Sequence, residues 1–323
     1  MTELAPQELR VLVAVAETGG FSAAANRLGV TQSAVSHSVR GSEAKVGAVL
    51  FDRGRTGAAP TPAGERAVAL GRRILRLYEV LGAEARAAGR GPAGPGAAAG
   101  VLRIAAFRSA ALHLLPPALE RLTARHPGIR PEVRVVRELG AGTAGEVAAG
   151  RADLAIATLG APGDVRPGGG SAGPSAGLPS GLPSGLPSGL PSGLPDGLLS
   201  GELTREAYSL VHPFGHPDPK GLPLLDWDEN CGSYTRDWWR AQDWIPRATV
   251  KAEDDAMVLT MVGRGLGMAI LPELSLREAT DAVEIAGLGP EGPVRCVGYV
   301  TTPELASTLA VRALIRELRA ERG

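Results

Sequence analysis

Residues 19–53, GGFSAAANRLGVTQSAVSHSVRGSEAKVGAVLFDR, constrain this chain more than any other stretch. Phe21, Ala24, Ala25 and Leu28 recur at helical spacing, and Gly29 stands where a helix ends in a left-handed residue. Thr31 is placed to cap a second helix, with Val30 and Val35 spaced as a hydrophobic staple across the cap. In that helix Val35 and Val39 predict an inward face. Ser33, Ser36, His37 and Arg40 share the opposite face, and Thr31 and Gln32 stand exposed at its start. Gln and Arg suit bidentate contact with base edges, and Ser can meet base or phosphate. The pattern predicts a helix-turn-helix whose recognition helix lies near residues 32–41. A helical hairpin with a merely solvated polar face would show the same spacing, so the flanks decide. Phe51-Asp52-Arg53-Gly54-Arg55 suits a wing, with Arg53 and Arg55 near a turn to meet phosphate or the minor groove. Thr61 and Pro62 then open a further helix as N-cap and first residue.

Charge agrees with a DNA-facing module on a different kind of body. The whole chain balances 34 basic against 34 acidic residues. Residues 20–66 carry six basic residues (Arg27, Arg40, Lys45, Arg53, Arg55, Arg66) against Glu43, Asp52 and Glu65, a net +3. The remaining 28 basic and 31 acidic residues leave the rest at −3. No charged segment followed by a long apolar core marks an export signal, and no apolar run is long enough to span a bilayer. Two cysteines, Cys231 and Cys296, make no disulfide framework, so the expected location is the cytoplasm.

Downstream, Leu70, Ile74, Leu77 and Leu81 alternate spacings of four and three, the seam of a dimerisation helix over 62–88. Two recognition helices held in fixed relation are what a palindromic site requires. GRGPAGPGAAAG, residues 89–100, reads as a hinge. Beyond it strand and helix alternate: strand 101–106, helix 111–125, strand 133–136, helix 143–149, strand 154–157. That order predicts a parallel sheet with any ligand at the C-terminal ends of its strands. A second lobe is expected from strand 207–211, a helix near 253–263, the run 266–272, strand 294–300 and a final helix near 303–319. Between the lobes, residues 167–200 contain GLPS four times in succession (177–192), then GLPD and GLLS. Gly and Pro in every copy forbid helix or sheet, so the segment reads as an extended surface insertion, with a polyproline-type ligand as the minor alternative.

The residues Gly20-Phe21, Ala24-Ala25, Leu28, Gln32, Ser36, Val46-Gly47, Leu50-Phe51-Asp52-Arg53 and Thr61-Pro62-Ala63-Gly64 resemble, as a set, the N-terminal pattern of the LysR-type transcriptional regulators. Met261-Val262-Gly263-Arg264-Gly265-Leu266-Gly267-Met268-Ala269-Ile270-Leu271-Pro272 is similar to a signature of the same family's effector domain. The resemblance implies an α/β architecture: a winged helix-turn-helix over 1–61, a linker helix over 62–88, a hinge over 89–100 and a two-lobed, periplasmic-binding-protein-like effector domain over 101–323. It implies double-stranded DNA, a small-molecule effector, a second copy of the chain (homodimer or homotetramer) and RNA polymerase as partners, and no cofactor. One departure is the replacement of the family's Leu-Glu by Ser42-Glu43, preceded by Gly41. The lost apolar side chain is expected to loosen the packing behind the recognition helix by about 1–3 kcal/mol.

The effector is expected near Ser109, which follows the first strand of the body and precedes a helix, with Arg108 beside it favouring an anion. Ser109 as a plain helix cap is the competing reading. In the second lobe the resemblance points to Ser233 and Tyr234 as effector-facing hydroxyls. Three rival chemistries have simpler explanations. His212, His216 and Asp218 could be a metal corner but suit a strand-end loop. Cys231 and Cys296 could be a redox pair but lack basic neighbours. Glu253, Asp254 and Asp255 could be acid–base groups but suit a helix start. No nucleophile–base pair and no phosphate loop is present, which disfavours an enzyme. A solute-binding protein of the same two-lobed fold would need an export signal and no helix-turn-helix.

Overall fold

Helices α1 (Pro6–Thr18), α2 (Phe21–Leu28) and α3 (Gln32–Val46) open the computed structural model, which describes residues 3–54, 57–89, 98–159, 194–195, 197–227, 238–239, 241–246 and 248–320. Gly29 closes α2 at φ 66°, as its position implied, and Thr31 caps α3 by accepting from Ala34 N at 3.2 Å. Val11, Leu12, Val15, Ala24, Ala25, Val35, Val39, Leu50, Phe51 and Val68 form the core of this module. α3 runs past the expected end at 41. Its Ser42 is fully buried, and the hydroxyl is satisfied by Ser38 O at 3.0 Å, so the departure from Leu leaves no orphan polar group. Glu43 Oε1 accepts from Leu50 N (2.9 Å) and Phe51 N (3.3 Å), which ties α3 to the start of the wing.

The wing is an antiparallel hairpin of β1 (Phe51–Gly54) and β2 (Gly57–Pro60). Arg55 and the side chain of Arg53 lie outside the described residues. α4 (Pro62–Ala88) starts at Thr61, whose hydroxyl accepts from Gly64 N at 3.0 Å and donates to Val49 O at 2.8 Å. Gly64 is required there, because a Cβ would fall 1.9 Å from the Leu50 carbonyl oxygen. The Thr-Pro-Ala-Gly run is thus the joint between the wing and the long helix.

The body begins with β3 (Ala99–Ala106), two residues inside the expected hinge; residues 90–97 lie outside the described set. The helix expected over 111–125 is two: α5 (Arg108–His113) and α6 (Leu115–Arg125). Pro116 and Pro117 cannot donate into a preceding turn, so a new helix starts at them. β4 (Gly128–Val135), α7 (Gly142–Ala148) and β5 (Leu154–Leu159) follow. β6 (Leu199–Pro213) is far longer than the expected 207–211 strand. The rest comprises β7 (Leu224–Trp227), β8 (Ala248–Ala252), α8 (Asp255–Gly263), β9 (Ala269–Pro272), α9 (Glu273–Leu276), β10 (Val283–Gly287), β11 (Val294–Thr301), α10 (Pro303–Ala306) and α11 (Leu309–Arg319). The expected final helix therefore breaks, at Ser307 and Thr308; the Thr308 hydroxyl donates to Leu305 O at 2.7 Å.

Strands run in the order β10-β6-β11-β5-β3-β4, with β9 also on β6. The sheet is mixed, not parallel: β3 pairs in parallel with β4 and β5, while β11 is antiparallel to both β5 and β6. β11 and α11 consequently belong to the first lobe, not the second as their position in the chain suggested. Ile104, Leu115, Leu122, Ile156, Val297, Leu314 and Leu318 share its core. The first half of β6 pairs with β11 and the second half with β9 and β10, so one strand serves both lobes. Most of the GLPS-containing insertion lies outside the described residues. Among the described residues no helix is long and apolar enough to cross a membrane.

Candidate functional site

The polar face of α3 is the first site. Thr31, Gln32, Ser33, His37 and Arg40 are exposed, as the spacing predicted. Ser36 is not: it is buried, because its position on the helix lies beside Val35 and Val39 at the rim of the core. Its hydroxyl accepts from Gln32 Nε2 at 3.2 Å, and its carbonyl accepts from Arg40 Nε at 3.2 Å. Ser36 therefore braces the two residues best suited to read bases and does not itself face outward.

Along α4 three faces do three jobs. Gly71 abuts Leu9 and Val13 of α1. A second face is fixed to the first lobe of the body: Arg76 donates to both carboxylate oxygens of Asp153 (2.7 and 2.8 Å) and to Val101 O (2.7 Å), and Glu84 accepts from Leu309 N. The third face carries Leu70, Ile74, Leu77 and Leu81, exposed at 46, 42, 36 and 64%, with Tyr78 beside them. A row of apolar side chains this open on one helix face calls for a covering partner.

The second site is a cavity of about 240 Å³ between the lobes, at the C-terminal ends of β3 and β4. Phe107, Arg108, Ser109, Val135, Arg137 and Glu138 line it from the first lobe; Trp227, Glu253, Asp254, Asp255 and Ser275 line it from the second, with Arg295 on β11. Ser109 is 3% exposed, and its hydroxyl makes no hydrogen bond among the described residues. It is not the cap of α5; that position is Phe107. Arg108 does not offer the open positive charge that its sequence position suggested. It donates to Glu278 (2.6 and 3.2 Å) and Asp255 (2.9 Å) across the cleft, and those bonds, Glu278's first, push its pKa further up against the cost of burial. Burial pushes the Glu138 carboxyl up, although it accepts from Thr143 N, Thr143 Oγ1 and Thr158 N. Ser233 and Tyr234 lie outside the described residues.

Sequence reasoning gave Asp254 a capping role, and its Oδ1 accepts from Met257 N at 2.8 Å. It gave Asp255 the same helix-start role but not its partners, Arg108 and Ser275 Oγ (2.5 Å), from which Asp255 accepts, and it missed Trp227 and Glu138. His212 Nδ1 meets Pro213 O and His216 Nδ1 accepts from Asp218 N, bonds internal to a strand-end loop. Cys296 is buried on β11; Cys231 is outside the described residues.

Comparison with known proteins divides along the same line. The bacterial regulatory helix-turn-helix protein family named lysR matches residues 6–65, and the LysR substrate binding domain matches residues 95–165 and 186–323. The probable HTH-type transcriptional regulator LrrA of Synechococcus elongatus is 30% identical over 279 residues, 83% of this chain and 81% of that protein. Two solved structures share the fold. A full-length OxyR variant from Pseudomonas aeruginosa has a TM-score of 0.67 at 20% identity, covering 99% of this chain and 96% of that one. Full-length CbnR complexed with its target DNA has a TM-score of 0.60 at 19% identity, covering 98% and 99%.

Proposed function

Because the chain belongs to the LysR-type family of DNA-binding, effector-responsive transcriptional regulators, we propose how its own residues divide that work. Gln32, Ser33, His37 and Arg40, with Thr31 at the helix start, enter the major groove, and Ser36 orients Gln32 and Arg40 from behind. Arg53 and Arg55 meet the backbone beside it. The observation that carries this reading is the exposed polar face of a side-chain-capped α3, set against an exposed apolar row on α4 of the same chain. That row, Leu70, Ile74, Leu77 and Leu81, packs on its counterpart in a second copy, placing two recognition helices in register with two half-sites. The functional division follows as residues 1–61 for DNA, 62–88 for assembly and 101–323 for the effector, with RNA polymerase as the downstream partner. The protein works in the cytoplasm as a regulator without a catalytic step.

The effector occupies the cavity between the lobes, where Ser109 presents an unshared hydroxyl and Phe107 and Trp227 present apolar surface. A ligand bound there shifts the regulator by whatever it prefers in one lobe arrangement over another. Capture of genomic fragments with the purified protein, followed by footprinting, tests the DNA assignment. Gln32→Ala costs on the order of 1–3 kcal/mol and relaxes preference at one base position, whereas Arg55→Ala weakens all sequences alike and flattens the salt dependence. An unchanged footprint and preference in Gln32→Ala would put the reading face elsewhere.

A further inference from the structure

The charge of the cleft runs opposite to what its arginines suggest. Arg108 is one cation against two carboxylates, Asp255 and Glu278. Arg295 is matched by Glu206 through a short hydrogen bond, and its guanidinium lies 4.8 Å over the Phe107 ring. Arg137 donates to Glu253 O at 3.4 Å at the rim. Counting lining residues and these direct partners, the three arginines face Glu206, Glu253, Asp254, Asp255 and Glu278, with Glu138 besides. A carboxylate entering this space displaces pairs already made and meets a surplus of acids. An ammonium or guanidinium meets carboxylate oxygens, the Ser109 hydroxyl as an acceptor with no bond of its own, and two aromatic walls, Phe107 and Trp227.

Resting on the reading that the effector sits between the lobes, we infer that this cleft selects a small cation, a primary amine or guanidinium on a short apolar body, and rejects carboxylates. The volume of about 240 Å³ lies below the common range of about 300–1,000 Å³, which restricts the body to one ring or a short chain. Arg108 comes from the first lobe and Asp255 and Glu278 from the second, so a cation competing for those oxygens acts on a contact that holds the lobes together.

Calorimetric titration of the full-length protein with phenethylamine, tyramine and agmatine, against phenylacetate and hydroxyphenylacetate, tests the inference at millimolar concentration. The amines bind and the carboxylates do not. Glu253→Gln with Glu278→Gln, both partly exposed and outside any core, weakens the amines about tenfold, the scale of a lost charge-assisted hydrogen bond. Arg108→Met frees two carboxylates and tightens the amines severalfold, a gain that damage to the fold does not mimic. Carboxylates that bind instead, protecting residues 107–109 and 253–255 from hydrogen exchange, overturn the charge class and leave the cleft as the effector site. Amine binding indifferent to all three substitutions, with protection elsewhere, overturns both. Failure of every amine to bind also overturns the inference.

Discussion

Replacing Asp153 by Ala tests whether the long helix and the first lobe move as one body. Asp153 is 1% exposed and accepts three hydrogen bonds, from Arg76 Nε (2.7 Å), Arg76 Nη2 (2.8 Å) and Arg103 N (2.9 Å). Its partner Arg76 has a side chain only 11% exposed; burial is the largest influence and lowers its pKa, but the hydrogen bonds it donates to Asp153 and Glu79, with their charges, outweigh that and push it up. Removing one member of a buried pair costs roughly 3–5 kcal/mol, because the survivor is left charged in a poorly hydrated place. Here Glu79 (3.0 Å) and Val101 O (2.7 Å) still serve Arg76, so the lower end, about 3 kcal/mol, is expected. That is a large part of the roughly 5–15 kcal/mol by which a domain is stable. All four tryptophans lie between 227 and 244, beyond the first lobe, so urea unfolding is followed by far-ultraviolet circular dichroism. Arg76→Met, Asp153→Leu and the double variant Arg76→Met/Asp153→Leu complete a cycle, the double variant losing less than the two single variants together because no charge is stranded. A loss below about 1 kcal/mol in Asp153→Ala, or a vanishing coupling in the cycle, refutes the clamp.

The apolar row on α4 makes a second prediction: Ile74→Lys with Leu77→Lys yields monomers in light scattering and removes tight operator binding, since four charges would meet in a dry seam. A dimer that survives both changes places assembly on another surface. The third concerns pH. Burial holds the folded-state pKa of Glu138 above its ordinary 4.5, so this group penalises the fold where it is ionised. The penalty is relieved as pH falls from above the raised value through it, and is gone below about 4.5. Glu146 runs the other way: the hydrogen bond from Arg151 depresses it, and its contribution is present above 4.5 and lost as pH falls below. Glu138→Gln removes the first slope and keeps the second, so its stability relative to wild type grows toward neutral pH in urea titrations. A constant difference across that range would show Glu138 to be ionised normally.

What was legible in the sequence was local. The 3.6-residue period placed Gln32, His37 and Arg40 outside and Val35 and Val39 inside, and capping chemistry placed Thr31 and Thr61. Ser36 failed because a residue at the edge of a helical stripe is decided by what packs against it, which periodicity does not encode. Arg108 was visible as a cation, but its partners lie 147 and 170 residues further along, and nothing in the neighbourhood of either announces the pairing. The long strand β6 showed only its second half, Ala207–Val211, because Leu199–Glu206 mixes charged, polar and apolar residues and is held as a strand by β11, almost a hundred residues on. β11 follows the same rule: chain order points to the second lobe, and pairing with β5 and the first half of β6 puts it in the first.

The geometry also limits where an effector can act. β3 carries both ends of the problem: its Val101 O and Arg103 N belong to the clamp on α4, and its C-terminal end delivers Phe107, Arg108 and Ser109 to the cleft. Only a few residues separate the two, inside a strand paired on both sides by β4 and β5. Such a strand transmits position but has no alternative packing of its own. The first lobe and the linker helix are therefore joined through a buried ion pair, whereas across the cleft the lobes meet, beside the shared strand β6, through Arg108 with Asp255 and Glu278, Arg137 on Glu253 O and Arg277 on His113 O, all part-exposed or long. The weaker junction is the one that a ligand of modest affinity can rearrange. On the proposed reading, an effector in this cleft acts by moving the second lobe against a unit composed of the first lobe and α4.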